Sequence, residues 1–224
     1  MNQLADIEGL EWVRLHYAYP AGFPMDVLDV MNEKESICNY LDIPLQHGAT
    51  DMLKRMRRGI TREKTEKLIK DIRLKVPDIA IRTTLIVGHP GETEEEFEET
   101  CQFVREMKFD RLGVFTYSHE DDTHSFTMDD TISAEIKEER ASVLMEIQQE
   151  IAFEKNQLAI GKTFKVLFDR KEGGYFIGRT EYDSPEVDNE VLVKAEDNYL
   201  SLGSFYQVKI IDATDYDLYG EVVD

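Results

Sequence analysis

Cysteine is scarce in this sequence, because only Cys38 and Cys101 occur among its 224 residues. The two lie far apart, so they form neither a disulfide framework nor a run with metal-ligand spacing, and isolated cysteines of this kind usually pack in a core. Long apolar runs are missing as well: no stretch of about 18 apolar residues occurs, and residues 1–8 lack a signal-peptide pattern. These absences predict a cytoplasmic protein without membrane spans or structural disulfides.

Basic residues are also in short supply, since 26 lysines and arginines stand against 46 aspartates and glutamates, giving a formal net charge of −20. Affinity for nucleic acids comes largely from lysine and arginine displacing counterions from phosphates, so a chain of this charge repels them on average. An acidic surface attracts basic partners, although it also serves solubility alone. Composition therefore disfavours nucleic-acid binding and leaves both a basic partner and simple solubility open.

The first 160 residues alternate short apolar runs with longer amphipathic patterns, which is typical of βα units with a parallel sheet. The predicted strands are residues 12–17, 40–44, 80–87 and 111–117. The predicted helices are residues 25–37, 49–57, 62–75, 94–107 and about 134–159. Four strands do not close a barrel. The alternatives are therefore an open four-stranded sheet and a β/α barrel of which only a part is present.

After Gly161 the pattern changes to short β-type runs separated by turn signals. The predicted strands are residues 163–168, 175–180, 190–194, 204–211 and 218–223. Five strands within about 60 residues predict a small antiparallel β-barrel. We therefore expect two domains, residues 1–160 and residues 161–224.

Two segments join an apolar strand to a polar or glycine-rich end, namely residues 40–47 and residues 82–93. The C-terminal ends of parallel strands are where α/β folds place ligands. Gly88 and Gly91 would let the backbone approach a ligand, and Thr93 would open a helix N-terminus with free N–H groups. The sequence thus predicts one pocket lined by both strand ends. A tight turn into a capped helix, or a phosphate site, stays open as an alternative, although no lysine follows as in a P-loop.

These two segments resemble signature segments of the methylthiotransferases within the radical S-adenosylmethionine superfamily. Residues 12–20, 109–118 and 215–220 resemble further family segments, so the similarity runs from about residue 12 to the end. The family pairs a catalytic TIM-like β/α barrel of mostly parallel strands with a TRAM domain, an OB-like five-stranded β-barrel. The resemblance implies an α/β fold in which a partial radical SAM barrel precedes a TRAM barrel. His89 departs from the family, which usually has phenylalanine there.

The resemblance also implies S-adenosylmethionine as cosubstrate and two 4Fe-4S clusters, one of them held by a CxxxCxxC motif. This sequence contains no such motif. We therefore expect the cluster cysteines upstream of Met1, no catalytic or metal-ligating residue within this chain, and no cluster binding or cosubstrate cleavage by the chain alone. Residues 119–124, with two histidines and three acids, are expected to form a solvated loop rather than a metal site.

Two substrate classes compete within the family, because one branch modifies transfer RNA and the other methylthiolates the β-carbon of an aspartate in small-subunit ribosomal protein twelve. Residues 161–224 contain seven basic against fourteen acidic residues, which suits docking of a basic ribosomal protein better than of RNA. His47, where transfer-RNA members often have serine, and the ending at residues 215–220 also resemble the ribosomal-protein branch. Modification of transfer RNA, and a non-catalytic acidic module that docks the ribosomal protein, remain the alternatives.

The resemblance implies that the chain holds part of the cosubstrate site. The expected contacts are Gln46 and His47 to the ribose or methionyl part, Arg82 to the methionyl carboxylate, the Val87–Gly91 backbone to the adenine edge, and Phe115 and Tyr117 to the ring. The residues assigned to the cosubstrate site are Gln46, His47, Arg82, Thr84, Val87, Gly88, Gly91 and Phe115. The expected docking surface for the ribosomal protein consists of Tyr182, Tyr199, Tyr216, Asp217 and Tyr219.

Overall fold

A computed structural model describes residues 1–196 and 198–223. The elements in chain order are α1 (Asn2–Ala5), β1 (Val13–Leu15), α2 (Val27–Glu33), β2 (Ile37–Asp42), α3 (Thr50–Arg55), α4 (Arg62–Lys75), β3 (Ala80–Val87), α5 (Glu94–Met107), β4 (Arg111–Thr116), a 3₁₀ turn (His124–Thr127), α6 (Ala134–Gln157), β5 (Thr163–Glu172), β6 (Tyr175–Arg179), β7 (Val191–Lys194), β8 (Phe205–Ala213) and β9 (Leu218–Val223). None of the helices in the described ranges is long and apolar enough to cross a bilayer.

Strands β1 to β4 form one parallel sheet in chain order, as the predicted βα alternation requires. Along β3 the residues alternate in burial, and Ile81, Leu85 and Val87 belong to the large core beneath the helices. Arg82 and Ile86 lie on the other face and are only partly buried. Because side chains alternate along a strand, one face of this sheet packs in the core and the other face can carry polar side chains.

Capping residues and charged side chains account for the ends of the helices. Thr93 caps α5 in a capping box with Glu96, and three glutamates stand at the positive end of that helix dipole. Lys108 ends α5 in the left-handed conformation at φ 45°. Ser133 caps α6, whose 24 residues make it the longest element. These signals explain why the bounds of α5 match the prediction.

Several predicted boundaries are wrong: the strand expected at residues 40–44 begins at Ile37, the strand expected at residues 163–168 extends to Glu172, and α2 is shorter than expected. The helix expected at residues 25–37 ends at Glu33, because Lys34 is extended and the chain enters β2 at Ile37. Ile37 pairs with Val13 of β1, and both Ile37 and Cys38 are buried. A short apolar pair of this kind fits either a helix face or a strand by periodicity, so only the pairing with β1 decides it.

Strands β5 to β9 form a closed barrel in the order β5-β6-β7-β9-β8. Its core contains Val166, Phe168, Val193 and Val208. The barrel is mixed rather than antiparallel throughout, because β7 and β9 pair in parallel while the other four junctions are antiparallel. The expected antiparallel barrel is corrected in this respect: β8 does not pair with β7, and β9 lies between the two strands, antiparallel to β8 and therefore parallel to β7.

The barrel docks on the sheet through residues 180–190 and on α6 through its β8–β9 hairpin. The hydroxyl of Tyr40 donates to Asp188 Oδ2 at 2.7 Å, and Arg82 Nε donates to Asp188 Oδ1 at 3.2 Å. Asn156 of α6 donates to the carbonyl of Thr214 at 2.9 Å. Since Arg82 lies near the start of β3, the barrel contacts the sheet toward the N-terminal end of that strand, away from the C-terminal strand ends.

Candidate functional site

The two strand ends that carry the polar and glycine-rich residues lie side by side. The N–H of Gln46 donates to the carbonyl of Thr84 at 2.9 Å, and the carbonyl of Gln46 accepts from the N–H of Ile86 at 2.8 Å. Gln46 adopts a left-handed φ of 74°, which is uncommon for a residue with a side chain and is held by this pairing. The expectation that both ends line one space agrees with this geometry.

A groove of about 490 Å³ opens between these strand ends, helix α3 and the segment that follows β4. Its walls combine apolar and aromatic side chains such as Ile86, Phe115 and Tyr117 with polar ones such as Gln46 and His89. The ring of Phe115 is 61 % exposed, although phenylalanine is usually buried. His89 and Tyr117 meet edge to face with ring centroids 5.1 Å apart. Such a groove suits a flat, partly apolar ligand.

Two arginines of the segment that follows β2 line the opposite wall of this groove. Arg55 is neutralised by an ion pair with Glu96. Arg58 lies over the ring of Tyr19 at 4.9 Å and donates to the carbonyl of Pro44 at 3.2 Å, and no carboxylate of the described residues lies within 4.0 Å of it. Its Nε is buried without a partner. Arg58 therefore offers the groove a cation that is free to pair with an anionic ligand group.

Sequence reasoning missed Arg58 and chose Arg82 for this role. Arg82 does not line the groove, because its guanidinium pairs with Asp188 at 3.2 Å and lies 3.6 Å from Asp42. It precedes Ile86 by four residues, which along a strand is about 13 Å. The assignment of Arg82 to a ligand carboxylate is thus corrected. Both acidic partners lie far from Arg82 in the sequence, and nothing in the sequence around Arg58 distinguishes it from other arginines.

His47 is likewise misassigned as a ligand contact, since its side chain is buried and points into the protein. Its Nδ1 accepts from the N–H of Ala49 at 3.1 Å, so Nε2 carries the proton and donates to Glu92 Oε1 at 2.8 Å. The other oxygen of Glu92 accepts from the N–H of Gly88 at 2.5 Å and from Arg140 at 2.6 Å. Burial alone would raise the pKa of Glu92, but these hydrogen bonds outweigh it and lower the pKa.

The remaining expected cosubstrate residues divide by position. Thr84 lies on the polar face of β3 below the groove, beside Gly113. The side chain of Val87 is buried in the core, and its carbonyl accepts from the N–H of Tyr117 at 2.8 Å, so little of Val87 faces a ligand. Gly88 and Gly91 have φ of 72° and 78°, as a tight loop beside a ligand requires.

The aromatic residues expected to dock a partner protein differ in exposure. Tyr199 is fully exposed and Tyr216 is 50 % exposed. Tyr219 and Asp217 are partly buried, and burial raises the pKa of Asp217. Tyr182 packs against Cys38, Tyr40 and Ala80 between sheet and barrel, and burial raises its pKa to about 12. Tyr182 is therefore an interface residue within the molecule, which corrects its assignment to a free surface.

The described residues do not fit an iron–sulfur cluster. Cys38 and Cys101 are buried separately, and burial raises the pKa of each thiol to about 11, which disfavours the thiolate that ligates metal. Within the described ranges no group of three or more histidine, cysteine, aspartate or glutamate side chains is placed to hold a metal ion. Any cluster ligands must come from outside these residues.

Two family models match this chain. The radical SAM superfamily model covers residues 2–104, and the TRAM domain model covers residues 160–223.

Curated relatives match the chain over its whole length. A protein of Cytophaga hutchinsonii named ribosomal protein uS12 methylthiotransferase RimO is 65 % identical, over 100 % of this chain and 51 % of its own length. Proteins of the same name from Christiangramia forsetii and Flavobacterium johnsoniae are 60 % and 56 % identical, each over 99 % of this chain and over 49 % and 51 % of their own lengths. The chain thus spans about half the length of the curated relatives it matches.

A solved structure resembles the chain more distantly. It is coproporphyrinogen III oxidase (HemN) from Escherichia coli, described as a radical SAM enzyme, with a TM-score of 0.51 and 23 % identity over 62 % of this chain and 32 % of that chain. At that identity the likeness bears on the fold alone, and it agrees with a partial radical SAM barrel.

Proposed function

The chain belongs to the radical S-adenosylmethionine methylthiotransferase family, and on that premise we propose that it is the part of such an enzyme that carries one side of the cosubstrate site and the TRAM barrel. Radical SAM proteins as a class use S-adenosylmethionine and iron–sulfur clusters. The proposed reaction adds a methylthio group to the β-carbon of an aspartate in the ribosomal protein uS12, the substrate in the names of the relatives. We propose residues 1–160 and 161–224 as the two domains.

The groove at the strand ends is the observation that carries this proposal. In the proposed complex the adenine ring lies against Phe115 and Tyr117, and the Gly88–Gly91 loop approaches its edge. Gln46, at the tip of the neighbouring strand, is placed for the ribose. The aromatic walls would exclude water from the bound nucleoside. When bound beside a reduced cluster, S-adenosylmethionine supplies the one-electron chemistry that removes hydrogen from an unactivated carbon.

Arg58 takes the role that was first expected of Arg82. A guanidinium offers a planar set of donors that matches a carboxylate, and the one on Arg58 lines the groove without an acidic partner among the described residues. We propose that it pairs with the methionyl carboxylate and so fixes the end of the cosubstrate remote from the adenine.

The cluster ligands are proposed to lie in the half of the relatives' length that this chain does not span. Cys38 and Cys101 contribute nothing to them, because each is packed in a separate apolar environment. The part played by the described residues is therefore binding, orientation and exclusion of water, and the chain alone is expected to be inactive.

The proposed partner is the basic ribosomal protein rather than transfer RNA. The barrel carries seven basic against fourteen acidic residues, so its field repels phosphate and attracts a cationic protein. Tyr199 and Tyr216 provide exposed rings on this acidic surface. Tyr216 stands between Asp215 and Asp217 in the β8–β9 hairpin, where aromatic and acidic contacts occur together. A ribosomal substrate places the reaction in the cytoplasm.

The cosubstrate site can be tested by calorimetric titration with S-adenosylhomocysteine, which has the amino-acid part, and with methylthioadenosine, which lacks it. Arg58→Gln is expected to weaken S-adenosylhomocysteine about tenfold or more, because a hydrogen bond to a charged group contributes about 1.5–3 kcal/mol. Binding of methylthioadenosine should be unchanged. Arg57→Gln, at the exposed neighbour, is the matched control. Equal loss for both ligands, or none, would reject Arg58 as the carboxylate partner.

A second candidate function is docking alone, and the acidic barrel favours it. Titration of the chain with purified ribosomal protein uS12 at low and high salt tests it, since exposed charge pairs are screened within about 10 Å at 0.1 M salt. We expect binding that weakens as salt rises. Binding of uS12 without any S-adenosylhomocysteine binding would favour the docking module over the enzyme portion.

A further inference from the structure

The first turns of α6 pack directly against the glycine loop, although they are far from it in sequence. A Cβ at Gly88 would lie less than 3.0 Å from Lys137 Cγ, so the glycine is what allows the helix to approach. One turn further on, Arg140 donates to Glu92 Oε2 at 2.6 Å and to Glu94 Oε2 at 3.0 Å. Lys137 and Arg140 are both only 8 % exposed.

Glu92 joins three elements through its two carboxylate oxygens. Oε1 accepts from His47 in the loop after β2, and Oε2 accepts from the N–H of Gly88 and from Arg140 of α6. The side chain of Glu92 has no solvent exposure. A buried carboxylate needs its charge compensated, and Arg140 is the cation paired with it here. Without Arg140 the Glu92 charge would be buried beside only neutral or weakly basic donors.

We infer that Arg140, acting through Glu92, is a positioning residue for the cosubstrate loop, and that the first turns of α6 support this loop from the side away from the groove. The inference rests on the proposed function, since it names the group that holds the proposed adenine loop in place. Arg140 does not line the groove itself, so its effect on a ligand passes through the Gly88 backbone.

Two carboxylates on the same guanidinium supply a matched pair of variants. Glu92 is buried in the loop, whereas the side chain of Glu94 is 76 % exposed. Glu92→Gln keeps the shape but turns an amide donor toward the protonated Nε2 of His47 or toward Gly88 and Arg140, so at least one donor loses its acceptor. Glu94→Gln leaves the loop contacts intact.

The test measures S-adenosylhomocysteine affinity and amide hydrogen exchange of residues 85–93 in wild type, Arg140→Met, Arg140→Lys, Glu92→Gln and Glu94→Gln. Arg140→Met and Glu92→Gln are expected to weaken binding at least about tenfold and to speed exchange in the loop, while exchange in α4 stays unchanged. Arg140→Lys keeps the charge and should recover most of the affinity. Glu94→Gln should match wild type. If Arg140→Met does not fold, Glu92→Gln and Arg140→Lys decide the question.

Unchanged affinity in Arg140→Met and Glu92→Gln, with wild-type binding intact, would overturn this inference and leave the proposed function standing. Faster exchange over the whole domain, without a local effect at the loop, would assign Arg140 to general stability and would also overturn it. A wild-type chain that does not bind S-adenosylhomocysteine would overturn the proposed function, and this inference with it.

Discussion

Replacing Gly88 with alanine is expected to destabilise the protein by two separable effects. Gly88 has φ 72°, and a residue with a Cβ pays about 1–2 kcal/mol in that left-handed region. The new Cβ would also overlap Lys137 Cγ, which cannot move away without changing the rotamer of a nearly buried side chain. Overpacking of this kind costs about 1–3 kcal/mol. The expected loss of unfolding free energy is therefore about 2–5 kcal/mol.

The same loop provides the control. Gly91 has φ 78°, but the nearest atom to its built Cβ is Arg55 Nε at 3.9 Å, an ordinary contact. Gly91→Ala should therefore cost only the backbone part, about 1–2 kcal/mol. Urea unfolding followed by circular dichroism measures both.

A double variant separates the steric part. Lys137→Ala removes Cγ and Cδ, the two atoms nearest to a Cβ at Gly88, and leaves Lys137 Cβ at 3.1 Å. In that background Gly88→Ala should therefore cost clearly less than in the wild type and only a little more than Gly91→Ala. If Gly88→Ala and Gly91→Ala are equally destabilising, or if Lys137→Ala relieves nothing, the contact between α6 and the loop is not as the structure shows it.

Three further results are expected. The pKa of Glu92 is lowered in the folded state, so its stabilising effect is present above the unfolded pKa of about 4.3 and is lost as pH falls through the folded pKa. The urea midpoint of Glu92→Gln should therefore depend less on pH in that acidic range than the midpoint of the wild type. An equal pH dependence of the two midpoints would contradict the charge network. Tyr40→Phe removes the hydrogen bond to Asp188 and should lower the unfolding free energy by about 1.5–3 kcal/mol, whereas Tyr199→Phe, at a fully exposed ring, should have no effect. Tyr216→Ser should weaken uS12 binding in surface plasmon resonance at every salt concentration while leaving S-adenosylhomocysteine binding intact, and a loss of both would argue against separate surfaces.

The predictable part of the fold is the part written in local patterns. The bounds of α4, β3 and α5 follow from their caps, their apolar periodicity and Pro77, and the structure has the same bounds. The start of β2 at Ile37 was not predictable in this way, since it depends on pairing with a strand more than twenty residues earlier. The parallel junction in the barrel is a matter of topology, which strand patterns do not contain.

The site shows the same division. The convergence of Gln46 and Gly88 follows from the rule that parallel strands end at one edge. His47 is buried in a hydrogen bond with Glu92, and Arg82 is held away from the groove by its pairing with Asp188, a residue of the barrel loop. Sequence spacing does not predict such long-range ion pairs. Arg58 was overlooked for the same reason. Its guanidinium is available to a ligand because no acidic side chain of the described residues pairs with it, and this is a property of the fold rather than of the local sequence.

The 24 residues of α6 make a rod of about 36 Å, with the glycine loop packed near one end and the barrel hairpin near the other. Selection can therefore act on the two ends at different rates. Substitutions that retune the barrel for a new macromolecule need not disturb nucleoside chemistry, provided the rod keeps its length. We therefore expect insertions or deletions within α6 to be tolerated far less than substitutions near either of its ends.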